Sequence, residues 1–372
     1  MNNSSQRLLS LDAFRGLTIA AMILVNTPGS WSHVYPPLLH ASWHGWTPTD
    51  LVFPFFLFIV GVSMRFSFSK FNYEWSGEAG VKLLKRSLLI FVIGLLLNAL
   101  PLYDLDLSTL RIMGVLQRIA LAFGVGGLIV LTFRKSVNLY LIIAGILLGY
   151  WGLLYFFGGS DPYGLENNLV RQIDLAILGS DHLYNGFGIP FDPEGILSTL
   201  PSVGTVLIGF LIGKFIKNKI KTEKDLLMLI GIGSILVLAG LIWNFVFPVN
   251  KPIWTSSYVL LTSGLATILL SLFYWLIDVK SWKRWSKFFL VFGVNPLFAY
   301  VLSAIWVNLL YLIVFSSGDP ASSWNLYDWL YENVFASLAG KLNGSLLFAL
   351  THVGLYWGLL YYLYRRKIFI KI

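Results

Sequence analysis

The chain has 372 residues, 56% of them hydrophobic, 16% aromatic and only 12% charged, with a net charge of +9 at neutral pH. A soluble domain carries about 25% charged residues, so the composition excludes a soluble globular protein and describes a polytopic membrane protein. The absence of cysteine excludes disulfides, thiolate nucleophiles and Cys-ligated metals.

Runs of the ~20 apolar residues needed to cross about 30 Å of hydrocarbon predict ten spans, at 8–28, 49–69, 83–100, 111–133, 137–157, 194–216, 224–247, 254–279, 284–316 and 343–364. The ninth is long enough to be tilted, kinked or split in two. The expected fold is an all-α membrane helix bundle, a single transmembrane domain over 1–372 with no separate soluble part. Asp12 and Arg15 interrupt the first apolar run and no small-residue cleavage site follows, so the first span is expected to be retained.

Lysine and arginine set the orientation. Most of the 27 basic residues fall on the side that holds the N-terminus: Arg7; Lys70, Lys82, Lys85 and Arg86; Arg134 and Lys135; Lys214, Lys217, Lys219, Lys221 and Lys224; Lys280, Lys283, Arg284 and Lys287; Arg365, Arg366, Lys367 and Lys371. Arg171, Lys251 and Lys341 fall opposite. Both termini are therefore expected in the cytoplasm. Spread over separate short connections, this charge is a topology signal and not a nucleic-acid footprint. Anionic lipids or a phosphate-bearing cofactor are the expected partners.

The other side is expected to carry segments at 158–193 and 317–342 and a smaller loop at 29–48. The first is dense in turn formers, from Gly158 and Gly159 to Asn185 and Gly186. Trp324, Tyr327, Trp329 and Tyr331 in the second suit an interfacial helix or a sugar-stacking surface. The small loop reads His40-Ala-Ser-Trp-His44-Gly-Trp-Thr-Pro48-Thr-Asp50, two imidazoles and a carboxylate at the mouth of the second span. Histidine exchanges protons near neutral pH. The four-residue spacing of His40 and His44 permits a metal site only on a helix, which Gly45 and Pro48 oppose, so no metal is expected. Asp50 can serve as a helix cap, as a catalytic partner, or as both. His33 reads as an ordinary interfacial residue, and His352 as a core residue or pocket wall.

Charges inside the spans cost about 2.5–3.5 kcal/mol each at a helix centre and should face the bundle interior. Asp12, Arg15, Ile19, Met22 and Asn26 share one face of the first span. The alternative there is an Asp12–Arg15 pair at one helix end with Asn26 capping the other. Arg111 and Arg118 are expected two turns apart on the fourth span, Arg111 near the outer surface and Arg118 deeper, where an arginine needs an anion such as Asp12, Asp50 or a ligand phosphate, with purely structural pairing as the alternative. Arg65 can snorkel to the surface.

Leu11-Asp-Ala-Phe-Arg15-Gly, Val25-Asn26, His40-Ala-Ser-Trp and Asp50-Leu-Val-Phe-Pro54 resemble the opening of the transmembrane acyltransferases typified by heparan-α-glucosaminide N-acetyltransferase. Arg111-Ile-Met-Gly-Val-Leu-Gln117-Arg118, Asp192-Pro-Glu194-Gly and Pro248-Val-Asn250-Lys251-Pro-Ile-Trp254 are similar to the same family in the same order, from residue 8 to about 260. His44 and Pro252 depart from its pattern, and the last third, with Asn295 and His352, matches less clearly. The resemblance implies transfer of acetyl from cytoplasmic acetyl-CoA across the membrane to the amino group of an amino sugar. It implies His40 as the essential histidine, Asn26 and Asp50 in the same site, and a central pore for the donor. Because the match begins at the Asp12-Ala-Phe-Arg15 span, the resemblance leads to the expectation of a compact form of a bacterial inner membrane, without the extra lumenal domain and leading span of the lysosomal enzyme.

On that reading His40 is a general base or transient acyl carrier, Asp50 orients it, and Asn26 faces the developing oxyanion. Arg15, Arg65, Lys70, Arg111, Gln117 and Arg118 are the donor-binding candidates. His44, Asp192, Glu194, Asn250, Lys251 and Trp254 are the acceptor-binding candidates, although Asp192 and Glu194 can instead cap the sixth span and Trp254 can anchor the eighth. The partners are acetyl-CoA, an amino sugar or glycan and membrane lipids, with a homodimer left open. The competing functions are a sugar or organic-anion transporter without acyl transfer, and acyl transfer to a hydroxyl of an envelope glycan.

Overall fold

A computed structural model describes residues 8–220, 222–316 and 323–370. Arg7, Lys221, Lys371, the side chain of Lys219 and the stretch 317–322 lie outside the described residues. In chain order the helices are α1 (Leu9–Asn26), α2 (Val52–Ser67), α3 (Gly77–Asn98), α4 (Val115–Thr132), α5 (Ser136–Phe157), α6 (Leu169–Leu178) and α7 (Ile196–Lys219). They continue with α8 (Glu223–Trp243), α9 (Ser256–Tyr274), α10 (Lys287–Gly293), α11 (Pro296–Leu312), α12 (Leu326–Leu330), α13 (Ser337–Ala339) and α14 (Lys341–Arg365). One small antiparallel hairpin, β1 (Val314–Ser316) with β2 (Ser323–Asn325), sets Phe315 opposite Trp324.

Among the described residues eight helices are long and apolar enough to cross a membrane, and nine spans result if the bent pair α10–α11 counts as one. The expected ten exceed this by α3. Its 22 residues are long enough, but Lys82, Lys85 and Arg86 charge its first half. The ninth expected span is split, with a bend of 80° between α10 and α11. Pro296 explains the break, because it supplies no N–H to the preceding turn and pushes Asn295 out of the helical region, to φ −130 and ψ 54.

A second departure concerns the fourth span. Helix α4 starts at Val115, so Arg111 precedes it and does not share a helix face with Arg118. The Asn98 side chain donates to the carbonyls of Arg111 (2.9 Å) and Met113 (3.0 Å). These bonds hold the segment extended against the end of α3.

Helices α1, α2, α4, α7 and α9 form the interior, whereas α5 and α8 expose most of their surface. Lipid tails provide no hydrophobic drive between helices, so close backbone approach through small residues matters more here than in water. At α1–α10 a Cβ on Gly16 would lie 1.7 Å from the Phe289 carbonyl oxygen, and one on Gly293 1.9 Å from that of Asp12. At α2–α7 a Cβ on Gly61 would lie 1.9 Å from the Val206 carbonyl oxygen. The α1–α10 contact thus presses the helix break against the polar end of α1, and the α2–α7 contact fixes α2, one wall of the central space, against the helix behind it.

Gly61→Val is expected to lower the thermal midpoint of the detergent-solubilised protein, with an overpacking cost of about 1–3 kcal/mol. Gly145→Ala on α5, where a Cβ meets nothing within 4 Å, serves as the control and does not lower the midpoint. Equal midpoints for the two variants would contradict the close α2–α7 contact.

Candidate active site

Between α1, α2, α3, α4 and α11 lies a cavity of about 700 Å³. Asn26, His40, Thr49, Glu194, Lys251 and Tyr300 line it at the end of the bundle that carries the histidine loop. Asp12, Arg15, Ser63, Ser67 and Arg86 line it at the end that carries the basic connections. Apolar side chains such as Ile19, Met22, Phe56 and Ile119 line the stretch between. Arg15 and Asn26 both face it from α1 and are eleven residues apart, a rise of about 16 Å. The space is elongated, charged at both ends and greasy in the middle.

The histidine-loop end is organised by Asp50. This residue opens the second span in a turn of 3-10 helix, Pro48–Leu51, through a capping box with Thr47. Asp50 is 1% exposed. One oxygen, Oδ2, accepts from the amides of Ala41 and Thr47, both at 3.0 Å, and from the Thr47 hydroxyl at 3.2 Å. The other, Oδ1, meets His40 Nδ1 at 2.6 Å. An ionised carboxylate only accepts, so Nδ1 of a neutral His40 carries the proton and Nε2 keeps its lone pair. Cap and imidazole partner are therefore the same residue. Lys251 adds its ammonium 3.1 Å from His40 Nδ1 and 3.5 Å from Asp50 Oδ1. Burial pulls the Lys251 ammonium below its ordinary pKa, with Asp50 and Glu194 working the other way.

The remaining acceptor candidates divide. Glu194 lines the cavity, held by Arg111 at 2.7 Å. Asp192 is fully buried and grips the same guanidinium with both oxygens, at 2.9 and 2.8 Å. Arg118 bonds neither Asp12 nor Asp50, and the anionic partners of Arg111 are these two carboxylates. Together they hold its pKa above the ordinary value although burial works against the charge. Asn250 is buried and ties loops together, donating to the Trp43 carbonyl at 2.9 Å and accepting from the Ile253 amide at 2.9 Å. His44 contacts Asn250 at 3.3 Å, not His40, and burial lowers its pKa against the pull of Asp161. Trp254 is buried beneath the site with the Arg118 guanidinium 4.9 Å over its ring.

At the basic end Arg15 bonds Asp12 (2.9 Å) and the Ser63 hydroxyl (2.7 Å). Arg65 lies over the Tyr73 ring at 3.8 Å, Lys70 sits at the surface near Phe71, and Gln117 and Arg118 are buried; these four stand away from the cavity wall. Arg118 instead reaches the Gly195 carbonyl at 3.3 Å and the Ser198 hydroxyl.

Three features escaped sequence reasoning. Arg86 reaches the cavity with its guanidinium 4.9 Å from the Phe123 ring. It was hidden in a basic run, but its spacing from the buried Leu83 and Ile90 of α3 was the available signal. Phe369 and Ile370 also line the cavity, because Asn295 at the helix break donates to the Ile368 carbonyl (3.0 Å) and accepts from the Ile370 amide (2.8 Å). Asp174 on α6, not Asp192 or Glu194, caps α7 through the Ile196 amide at 2.9 Å. His352 bonds the Phe348 carbonyl at 2.9 Å as a core residue.

Residues 7–242 match the family model described as heparan-alpha-glucosaminide N-acetyltransferase, catalytic. The chain belongs to this family. It is similar to the heparan-alpha-glucosaminide N-acetyltransferase of Homo sapiens, 29% identical over 422 positions that cover 98% of this chain and 60% of that protein. The Mus musculus protein of the same name is 28% identical over 359 positions, covering 80% of this chain and 53% of its own length. The chain thus spans little more than half the length of these relatives. The matched catalytic region of this N-acetyltransferase-family chain contains Arg15, Asn26, His40, Asp50, Arg86 and Glu194. The spanning helices and the family together make it a multi-pass membrane protein.

Burial pushes the Asp174 carboxyl up to about 7, helped by Asp192 and opposed by the Ile196 amide and Arg118. Between the ordinary carboxylate range and pH 7 the folded chain then holds a proton that the unfolded chain has released. Stability from this group is present at low pH and falls as pH rises through that window. Asp174→Asn, which keeps the capping oxygen, is expected to flatten the dependence and raise the thermal midpoint at pH 8 more than at pH 5. A parallel offset at both pH values would refute it.

Proposed function

We propose that this protein is an acetyltransferase of the cytoplasmic membrane of a bacterium that moves acetyl from acetyl-CoA to the amino group of a glucosamine-type sugar. The observation that carries the reading is the Asp50–His40 pair opening onto an elongated cavity whose far end presents Arg15 and Arg86. The basic end faces the cytoplasm in this reading, as the distribution of lysine and arginine supports. The phosphates of the donor pair with Arg15 and Arg86. Its pantetheine arm runs past Ile19, Phe56 and Ile119, and the thioester carbonyl reaches Nε2 of His40.

An ammonium has no lone pair with which to attack a thioester, so the acceptor must lose a proton. His40 Nε2 takes it, or attacks the carbonyl first and carries the acetyl as an acyl-imidazole while CoA leaves as thiolate. Asp50 stabilises the imidazolium formed on either route. The exposed Asn26 amide lines the same cavity and in this reading donates to the oxyanion. Glu194, fixed by Arg111, offers a carboxylate to the sugar ammonium or a hydroxyl.

The test is CoA release from acetyl-CoA with a panel of amino sugars. His40→Ala is expected to lower kcat by about 10²–10⁴-fold with donor binding retained. Arg86→Gln is expected to raise the KM for acetyl-CoA about tenfold, the loss of one charge-assisted hydrogen bond, with little change in kcat. Sugar uptake by proteoliposomes that needs no acetyl-CoA and survives His40→Ala would replace this reading with a transporter.

A further inference from the structure

The turn that carries Lys251 is built to hold its side chain still. Asn250 accepts from the Ile253 amide and donates to the Trp43 carbonyl, and the Gly45 amide donates to the Val249 carbonyl at 2.7 Å. The turn and the histidine loop therefore form one unit. From it the Lys251 ammonium lies 3.1 Å from His40 Nδ1, 3.4 Å from His40 Nε2 and 3.5 Å from Asp50 Oδ1. Near-equal distances to both ring nitrogens place the cation beside the ring and not at the end of one lone pair.

A buried carboxylate next to an imidazole favours the imidazolium form. That form has no lone pair at Nε2 and can neither take a proton nor attack a carbonyl. A cation against the same ring opposes it. We propose that Lys251 is a positioning residue that keeps the His40 ring unprotonated near neutral pH while Asp50 stays ionised, and so sets the pH range in which the ring can act. This role for Lys251 rests on the acyltransferase reading of His40, although the protonation of the ring can be measured without it. The charged groups in contact with the ring are Asp50 at the start of α2 and Lys251 before α9; Glu194 before α7 and Tyr300 on α11 line the same cavity, and Tyr258 on α9 and Arg118 on α4 lie behind Asp50 and Lys251. Arg111 neutralises Glu194, which leaves Lys251 as the cation in direct contact with the imidazole among the described residues.

Diethyl pyrocarbonate reacts with the unprotonated ring, so its rate of attachment at His40 against pH, read by peptide mass spectrometry, reports the protonation midpoint directly. His40→Ala confirms the peptide assignment. Lys251→Met is expected to raise the midpoint by about one pH unit or more, and Lys251→Arg to leave it near the wild-type value. The acid limb of kcat/KM should move in step. If the methionine variant does not fold, Lys251→Gln makes the same comparison. An unchanged midpoint on removal of the charge would overturn the role, as would a higher KM with an unchanged pH profile. Absence of acetyl transfer by the wild type would instead sink the enzymatic reading, while the midpoint would still decide what Lys251 does.

Discussion

The buried carboxylate of Asp50 is the constraint on which the site is built. The carboxylate of a residue at 1% exposure is tolerable only when its lone pairs are filled by donors. Those donors come from the loop itself: two amides, a hydroxyl and an imidazole. Filling them folds the chain from His40 to Thr47 back onto the start of the second span. The imidazole is thereby pinned at the cavity mouth in one tautomer. The charge that would otherwise be a liability in a membrane protein becomes the anchor for a short loop that Gly45 and Pro48 keep from holding a shape by helix formation.

The same logic recurs around it. Asp192 and Glu194 share Arg111, and Asp174 fills the bare N-terminus of α7. Arg118, buried beneath them, spends one nitrogen on the Gly195 carbonyl and the Ser198 hydroxyl. Arg111 is matched to two carboxylates and Asp174 to a helix N-terminus, whereas Arg118 has a carbonyl and a hydroxyl as its direct partners and feels Glu194 and Asp192 only at longer range. Glu194 stands where this ring meets the cavity, which makes it both a structural partner of Arg111 and a group a ligand can reach. At the opposite end Arg15 is tied to Asp12, and Arg86 is presented from α3, giving the cavity a positive pole away from the imidazole.

Much of the site was legible in the residues from His40 to Asp50, because all members of that pair lie within one short loop and the cap signal at Thr47 and Asp50 is local. Asn26 and Arg15 were legible too, since helical periodicity puts them on one face. Arg111 and Arg118 were misjudged for a physical reason: Asn98, more than a dozen residues upstream, holds the segment extended where hydrophobicity alone continues a helix. Asp174 and Arg86 were passed over because a cap supplied from another helix, or a cation turned inward from a basic run, leaves no pattern near the residues it serves. Asn250 and Trp254 have a chemistry that suits a sugar, yet the Asn250 amide is consumed in holding the turn and Trp254 is buried beneath the Arg118 guanidinium.

Composition, apolar runs and charge asymmetry by themselves determined that this chain is a membrane-spanning helical bundle, and local spacing determined that an imidazole and a carboxylate meet at the mouth of the second span. Those properties depend on neighbours in the sequence and on partition between lipid and water. Only the tertiary structure decided which charges share one cavity, that Lys251 is brought against His40 from more than two hundred residues away, and that the ninth span breaks to let Asn295 hold the chain at 368–370 against the cavity. Such pairings follow from close helix contacts at Gly16, Gly61 and Gly293, where the absence of a side chain sets the distance, and a contact distance between remote helices is written in no single stretch of residues.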